Sequence, residues 1–245
     1  MPSHNAVKPL ALRLPGMNKV AKKRVVLASN SPRRRDILKT FGLEPEICPS
    51  EFAEDLPKSG FENVFEYPVA NASHKAIEVY ERLVREDPED APDLVIAADT
   101  VVIINETPVV HQSQQTSGLG EIILEKPGTK EENLRMLREL NGKACVVVTG
   151  VTVLFPIITA PGYKIQSIDE RTTVYFADNS PAKIQAYVDS GEGLDRAGGF
   201  AIQGLGGLLV SKIEGDFWNC VGFPASSFFT LLDVLVEEDD DFLEI

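Results

Sequence analysis

The stretch "RVVLASNSPRRRDILKTFG", residues 24–42, decides the fold. Val25 to Ala28 form a short apolar run and read as a buried strand. Ser31 then stands as a helix N-cap, with Pro32 as the first helical residue. Ile37, Leu38 and Phe41 supply one apolar helical face, and Gly42 sits where a C-terminal cap belongs. The order is strand, tight turn, helix.

That alternation continues along the chain. "PVANASHKAIEVYERLVRE" (68–86) predicts an amphipathic helix with Ala72, Lys75, Ala76, Val79 and Leu83 near one face. "PDLVIAADTVVII" (92–104) predicts an apolar strand interrupted by one acid, Asp99. "TKEENLRMLREL" (129–140) predicts a helix opened by a Thr129–Glu132 capping box. "ACVVVTGVTVLF" (144–155), "RTTVYF" (171–176) and "GGLLVSKIEG" (206–215) read as strands. "SPAKIQAYVDSG" (180–191) and "PASSFFTLLDVLVEE" (224–238) read as helices. The class is therefore α/β with a mixed sheet. A polar insertion at 111–121 is expected as a surface loop. Residues 1–23, basic with no acid, are expected as a disordered extension, with a transit peptide as the competing reading. Residues 237–245 are expected as a solvated acidic tail.

Bulk properties narrow the function. The chain has 245 residues, 43% of them hydrophobic, enough for a sizeable core. Its formal net charge of −13 argues against nucleic-acid binding through phosphate neutralisation. It leaves room for a small anion in a locally basic pocket. Cys48, Cys145 and Cys220 are far apart and no CxxC exists, so neither a disulfide framework nor a zinc site is expected. Reduced cytosol fits, and no run is long enough to predict a membrane span.

Three places carry chemistry. A helix N-terminus has unpaired N–H groups and partial positive charge. With Ser29, Ser31, Arg33 and Arg34, the first turn reads either as an anion site for phosphate or as a solvated basic helix start. Asp99, at the end of "LVIAA", is costly to bury unless paired or bound to a metal. It reads as a turn cap, a metal ligand or a general base. "LDRAGGFAIQGLGG" (194–207) packs five glycines between 198 and 207, with Gln203 among them. It lacks the third glycine of a dinucleotide fingerprint, and a strand follows, so no such site is expected. Neither a P-loop nor a nucleophile elbow is present in the sequence. The set suits metal-assisted attack on a phosphate ester or anhydride. Lys126, Lys75 and Glu54 are, on residue type alone, ordinary charged residues.

At these residues the chain resembles the Maf family of nucleoside triphosphate pyrophosphatases. The matches are "LASNSPRRRDIL", "AADTVV", "LEKP", "LNGKACVVVTGV" and "LDRAGGFAIQGLGGLLVSKIEGDFWNCVGFP", in the family's order from residue 24 to 236. The resemblance implies an elongated mixed sheet flanked by helices, in two lobes around a central cleft. It implies divalent-metal-dependent (Mg²⁺ or Mn²⁺) cleavage between the α and β phosphates, often by a homodimer. It makes Asp99 the proton acceptor or a metal ligand beside Glu54, and gives phosphate handling to Ser29, Arg34, Lys75 and Lys126, next to the Ser31 already read at the helix start. Arg33, Thr100 and Gln203 match the subgroup acting on dTTP and UTP, whereas the 7-methyl-GTP subgroup carries Trp, Gln and Glu there. A Gln amide offers both donor and acceptor to a pyrimidine edge. Modified pyrimidine nucleotides are further candidate substrates. The competing expectation is a nucleotide-binding regulator of septum formation without catalysis. No partner nucleic acid and no membrane are implied.

Overall fold

The computed structural model describes residues 4–105, 121–238 and 242–244. In chain order the elements are α1 (Pro15–Val20), β1 (Val25–Leu27), α2 (Pro32–Thr40), β2 (Glu46–Ile47), α3 (Glu66–Glu86), β3 (Leu94–Asn105) and β4 (Glu121–Leu124). There follow α4 (Lys130–Leu140), β5 (Ala144–Pro156), β6 (Tyr163–Phe176), α5 (Pro181–Ser190), β7 (Val210–Glu214), α6 (Phe217–Val221) and α7 (Ala225–Glu238). The seven strands form one mixed sheet of order β2-β1-β3-β5-β6-β7, with β4 paired to β3. β1 runs parallel to β2 and β3, while the β3–β4 and β6–β7 pairs are antiparallel. The α/β class with a mixed sheet is as the alternation implies.

The chain divides into two compact units, and β3, β5 and β6 each lend residues to both. The first unit comprises residues 1–99, 149–170 and 222–245. Its core sets Val26, Ala28, Val95, Ala97 and Leu154 against Ala72, Ala76, Val79 and Leu83 of α3. Small alanines on the helix let its backbone lie close to the strands. Gly150 makes the same accommodation on β5: a Cβ there would stand 2.5 Å from the Val69 amide nitrogen at the start of α3. The second unit comprises 100–148 and 171–221. Its core joins Val102, Leu124, Leu137, Val147, Val174, Ile184, Tyr187 and Phe200.

Several local expectations change. The described part of the expected extension is folded: Pro15–Val20 form α1, Met17 and Val20 are buried, and Val7 bridges Leu43. α1 docks on α7, where the Gly16 amide donates to Asp233 Oδ1 at 2.7 Å and a Cβ on Gly16 would lie 2.5 Å from Leu232 Cβ. The acidic tail is not wholly solvated, since Phe242 and Leu243 are buried and Phe242 packs edge-on to Phe155. Ser31 holds the N-cap position of α2, but its side chain makes no capping bond. The Thr129 hydroxyl does cap α4 at Glu132, whereas the Glu132 carboxylate accepts from the Gly128 amide and so completes no box. The strand read at 206–215 begins only at Val210, after a tight 3₁₀ turn over Leu205–Leu209. The insertion at 111–121 falls outside the described residues except for Glu121, which opens β4.

Candidate active site

Two periodicities build the centre of the first unit. Alternate residues of β3 face the same way. Val95 and Ala97 meet α3 in the core, and Asp99 is the next residue in that register. On α3, Asn71, Ala72, Lys75, Ala76 and Val79 recur at helical spacing and form its buried stripe. Mid-strand, Asp99 therefore meets the two polar residues, Asn71 and Lys75, of the helix's buried stripe.

The result is a buried charged cluster. Lys75 Nζ donates to Asp99 Oδ1 at 3.0 Å and pairs with Glu54 Oε2 at 2.7 Å. Asn71 Nδ2 donates to Asp99 Oδ2 at 3.0 Å. Asp99 is 8% exposed, Lys75 6% and Asn71 1%. Burial pushes the Asp99 carboxyl up, but Lys75, Arg34 and the hydrogen bonds from Asn71 and Lys75 outweigh it, so its pKa lies below the usual carboxylate range. Asp99 is an anion at neutral pH. That anion fixes the Asn71 amide, which must turn its NH₂ toward the carboxylate. Asn71 Oδ1 is then left buried and without a hydrogen-bond partner.

The turn between β1 and α2 adds the cationic side. Ser29 Oγ accepts from the Ser31 amide at 3.2 Å and from Arg34 Nη1 at 3.1 Å. Arg34 Nε donates to the Gly222 carbonyl at 3.0 Å. Burial lowers the Arg34 pKa, and Asp99 and Glu54 oppose it, which places this guanidinium in the field of both carboxylates. A guanidinium so held stays charged. Glu54 is exposed and is one of two non-glycine residues, among those described, with a left-handed backbone, φ 53°. Such strain tends to persist where the surroundings over-determine it. Here the Lys75 pair anchors the side chain, and α3 anchors the preceding segment through Glu78, which accepts from Ser50 Oγ and the Glu51 amide.

Ser29, Ser31, Arg33, Arg34, Glu54, Lys75 and Asp99 thus all belong to the first unit. Thr100, Lys126 and Gln203 belong to the second. Thr100 is half-buried on β3. Lys126 is exposed and pairs with Asp195 Oδ1 at 2.9 Å. Gln203 is exposed in the turn between Phe200 and Leu205.

The whole chain can now be set beside known proteins. The family model described as "Maf-like protein" matches residues 24–235. The chain belongs to the Maf family. It is 41% identical over 218 residues to a human protein named "Probable bifunctional dTTP/UTP pyrophosphatase/methyltransferase protein". That match covers 87% of this chain but only 32% of the human protein, so the chain spans about a third of that relative. It is 39% identical over 224 residues to the "dTTP/UTP pyrophosphatase" of Schizosaccharomyces pombe, covering 89% of this chain and 86% of that one. The Deinococcus radiodurans protein of the same name is 38% identical over 210 residues, covering 85% and 91%.

Asn71 escapes a reading of the sequence. An asparagine in a helix is unremarkable in type, and only its place four residues before Lys75 on the buried stripe signals a role.

Proposed function

We propose that the chain is a nucleoside triphosphate pyrophosphatase that cleaves dTTP and UTP between the α and β phosphates, releasing the monophosphate and pyrophosphate. Family membership and the names of its relatives support the reaction class. The observation that carries the reading on this chain is the buried Asp99–Lys75 pair, with the exposed Glu54 on Lys75 and Arg34 in the field of both carboxylates. Two carboxylates held against two cations make a site where a polyanion and a divalent cation bind together.

The donor set fits Mg²⁺ or Mn²⁺. Glu54 and Asp99 offer hard carboxylate oxygens, and Asn71, bonded to Asp99 through Nδ2, keeps a buried Oδ1 without a hydrogen-bond partner. Among the described residues no group of three or more His, Cys, Asp or Glu side chains forms a closed cage. Mg²⁺ sites commonly take one or two carboxylates and leave the rest to water and substrate phosphate. When bound, such a cation acts as a Lewis acid toward phosphate oxygens and acidifies its water. Lys75, Arg34 and the Asn71 bond keep the Asp99 carboxylate ionised, so it can hold the cation or accept a proton from the attacking water. Arg34 and Lys75 offset the negative charge that grows on the phosphates. Family resemblance gives Lys126 a phosphate contact, and Arg33, Thr100 and Gln203 the choice of base. A house-cleaning role against non-standard pyrimidine nucleotides and a homodimer rest on that resemblance too, and a cytosolic setting on the three widely spaced cysteines.

The test is pyrophosphate release with Mg²⁺ or Mn²⁺ across a panel of the common nucleoside triphosphates, plus methylated and pseudouridine triphosphates. dTTP and UTP should lead. Asp99→Asn should lower turnover by about 100- to 10,000-fold while the protein stays folded. A wild-type chain inactive on the whole panel would overturn the reading and leave the non-catalytic regulator.

A further inference from the structure

We propose that Glu192, with Tyr187, is a positioning residue for substrate selection, holding the turn that displays Gln203. The inference rests on the reading of Gln203 as a base-selecting residue and deepens it. α5 ends at Gly191 in the left-handed region, φ 73°, and the chain turns at once into Glu192. The Glu192 carboxylate then spans two backbone donors. Oε1 accepts from the Leu205 amide at 3.1 Å, and Oε2 from the Gly206 amide at 3.0 Å. One turn earlier on α5, the buried Tyr187 hydroxyl accepts from the Ala201 amide at 3.1 Å. Gln203 lies between these anchors, two residues after the first and two before the second. Its own side chain is exposed.

The bracket explains one glycine of the glycine-rich run. Gly204 has a negative φ of −116°, outside the left-handed region that favours glycine. A Cβ there would stand 2.1 Å from Glu192 Oε1, so the carboxylate demands it. The charge is also needed. An ionised Glu accepts at both oxygens, whereas a Gln would present its NH₂ to one of the two amides and leave that donor unmet. Burial, and next the Glu192 carboxylate, hold the Tyr187 phenol well above its ordinary pKa, so it stays a neutral hydroxyl. The arrangement fixes the direction in which Gln203 emerges.

The experiment uses the full chain and steady-state kinetics on UTP and CTP. Glu192→Gln should raise KM for UTP and narrow the UTP-over-CTP preference by about tenfold, with kcat changed much less. Gly204→Ala should do the same, and should add nothing in a Glu192→Ala background, where its clash is gone. In a Gln203→Ala background Glu192→Gln should have no further effect on selectivity. Selectivity that stays at the wild-type value in Glu192→Gln, or losses that add to those of Gln203→Ala, would overturn the proposal. Tyr187→Phe gives a second route should Glu192→Gln fold poorly, with the same expectation and the same overturning result. If the wild type turns over neither nucleotide, the function reading fails on its own, and calorimetric titration with UTP and CTP supplies the selectivity readout for the same variants. Wild-type binding without a UTP preference would then overturn this proposal as well.

Discussion

Lys75 is the residue on which the first unit's charges turn. It touches both Asp99 and Glu54 from a nearly closed position. Breaking a buried ion pair by removing one partner leaves an uncompensated charge. Lys75→Met should therefore destabilise the fold by about 3 kcal/mol, toward the low end of what such losses cost, because Arg34 still faces Asp99. Adding Asp99→Asn should return part of that loss, since the stranded carboxylate is gone. Urea denaturation of the two single variants and the double variant checks it. Strictly additive losses would show that the two side chains do not act as a pair. Asp99 was legible from the sequence because an acid inside an apolar strand asks for a partner. Lys75 was half legible, as a lysine on an apolar stripe. Glu54 had no local signal, because its backbone turn and its reach to Lys75 arise from tertiary contacts that no spacing encodes.

At the scale of the element, α3 does two jobs with two faces. Its buried stripe presents Asn71 and Lys75 to Asp99. Further along, Glu78 and Arg82 pin the segment that leads to Glu54. Glu78 accepts from Ser50 Oγ at 2.8 Å, from the Glu51 amide at 3.0 Å and from Arg82 Nε at 2.7 Å, and Arg82 donates to the Pro49 carbonyl at 2.8 Å. Partial burial raises the Glu78 pKa, but the bonds from Arg82, the Glu51 amide and Ser50 lower it further, so the folded value lies below the unfolded one of about 4.3. A depressed carboxylate contributes stability above the unfolded pKa and loses it as pH falls through the folded one. Glu78→Gln should thus cost up to about 1 kcal/mol at pH 7 and progressively less below pH 4. Denaturant midpoints at pH 7 and pH 3 measure this, and an equal cost at both would refute the electrostatic account. The helix itself was plain from its 3.6-residue period. Its second face was not, since surface Glu and Arg at i,i+4 look alike whether they meet only each other or also clamp a loop.

At the scale of the whole molecule, sequence pattern marks the strands and helices that build the two cores but neither the division into two units nor α1 in the chain's first stretch. Long apolar periods mark β3, β5 and α3, whereas α1 has six residues, too few to show a period, and includes Pro15 and Gly16. Its partner on α7 lies 217 residues along the chain, so only tertiary packing stabilises it. α1 lies outside the stretch matched by the family model, residues 24–235, whereas Leu232 and Asp233 on α7 lie inside it. Met17 is 2% exposed and among the largest fully enclosed side chains. Replacing such a methionine by alanine removes apolar burial and leaves a cavity, a loss of about 2–5 kcal/mol. For a protein of this length that corresponds to about 5–15 °C in Tm. Met17→Ala should show that drop in a thermal melt, while pyrophosphate release per folded molecule at 20 °C stays near wild type, because α1 supplies no residue to the charged cluster. An unchanged Tm would mean that α1 is not part of the cooperative fold. A collapse of activity at 20 °C with the fold intact would mean that the docking of α1 on α7 reaches the cluster, through the Gly222 carbonyl that holds Arg34 just before α7 begins.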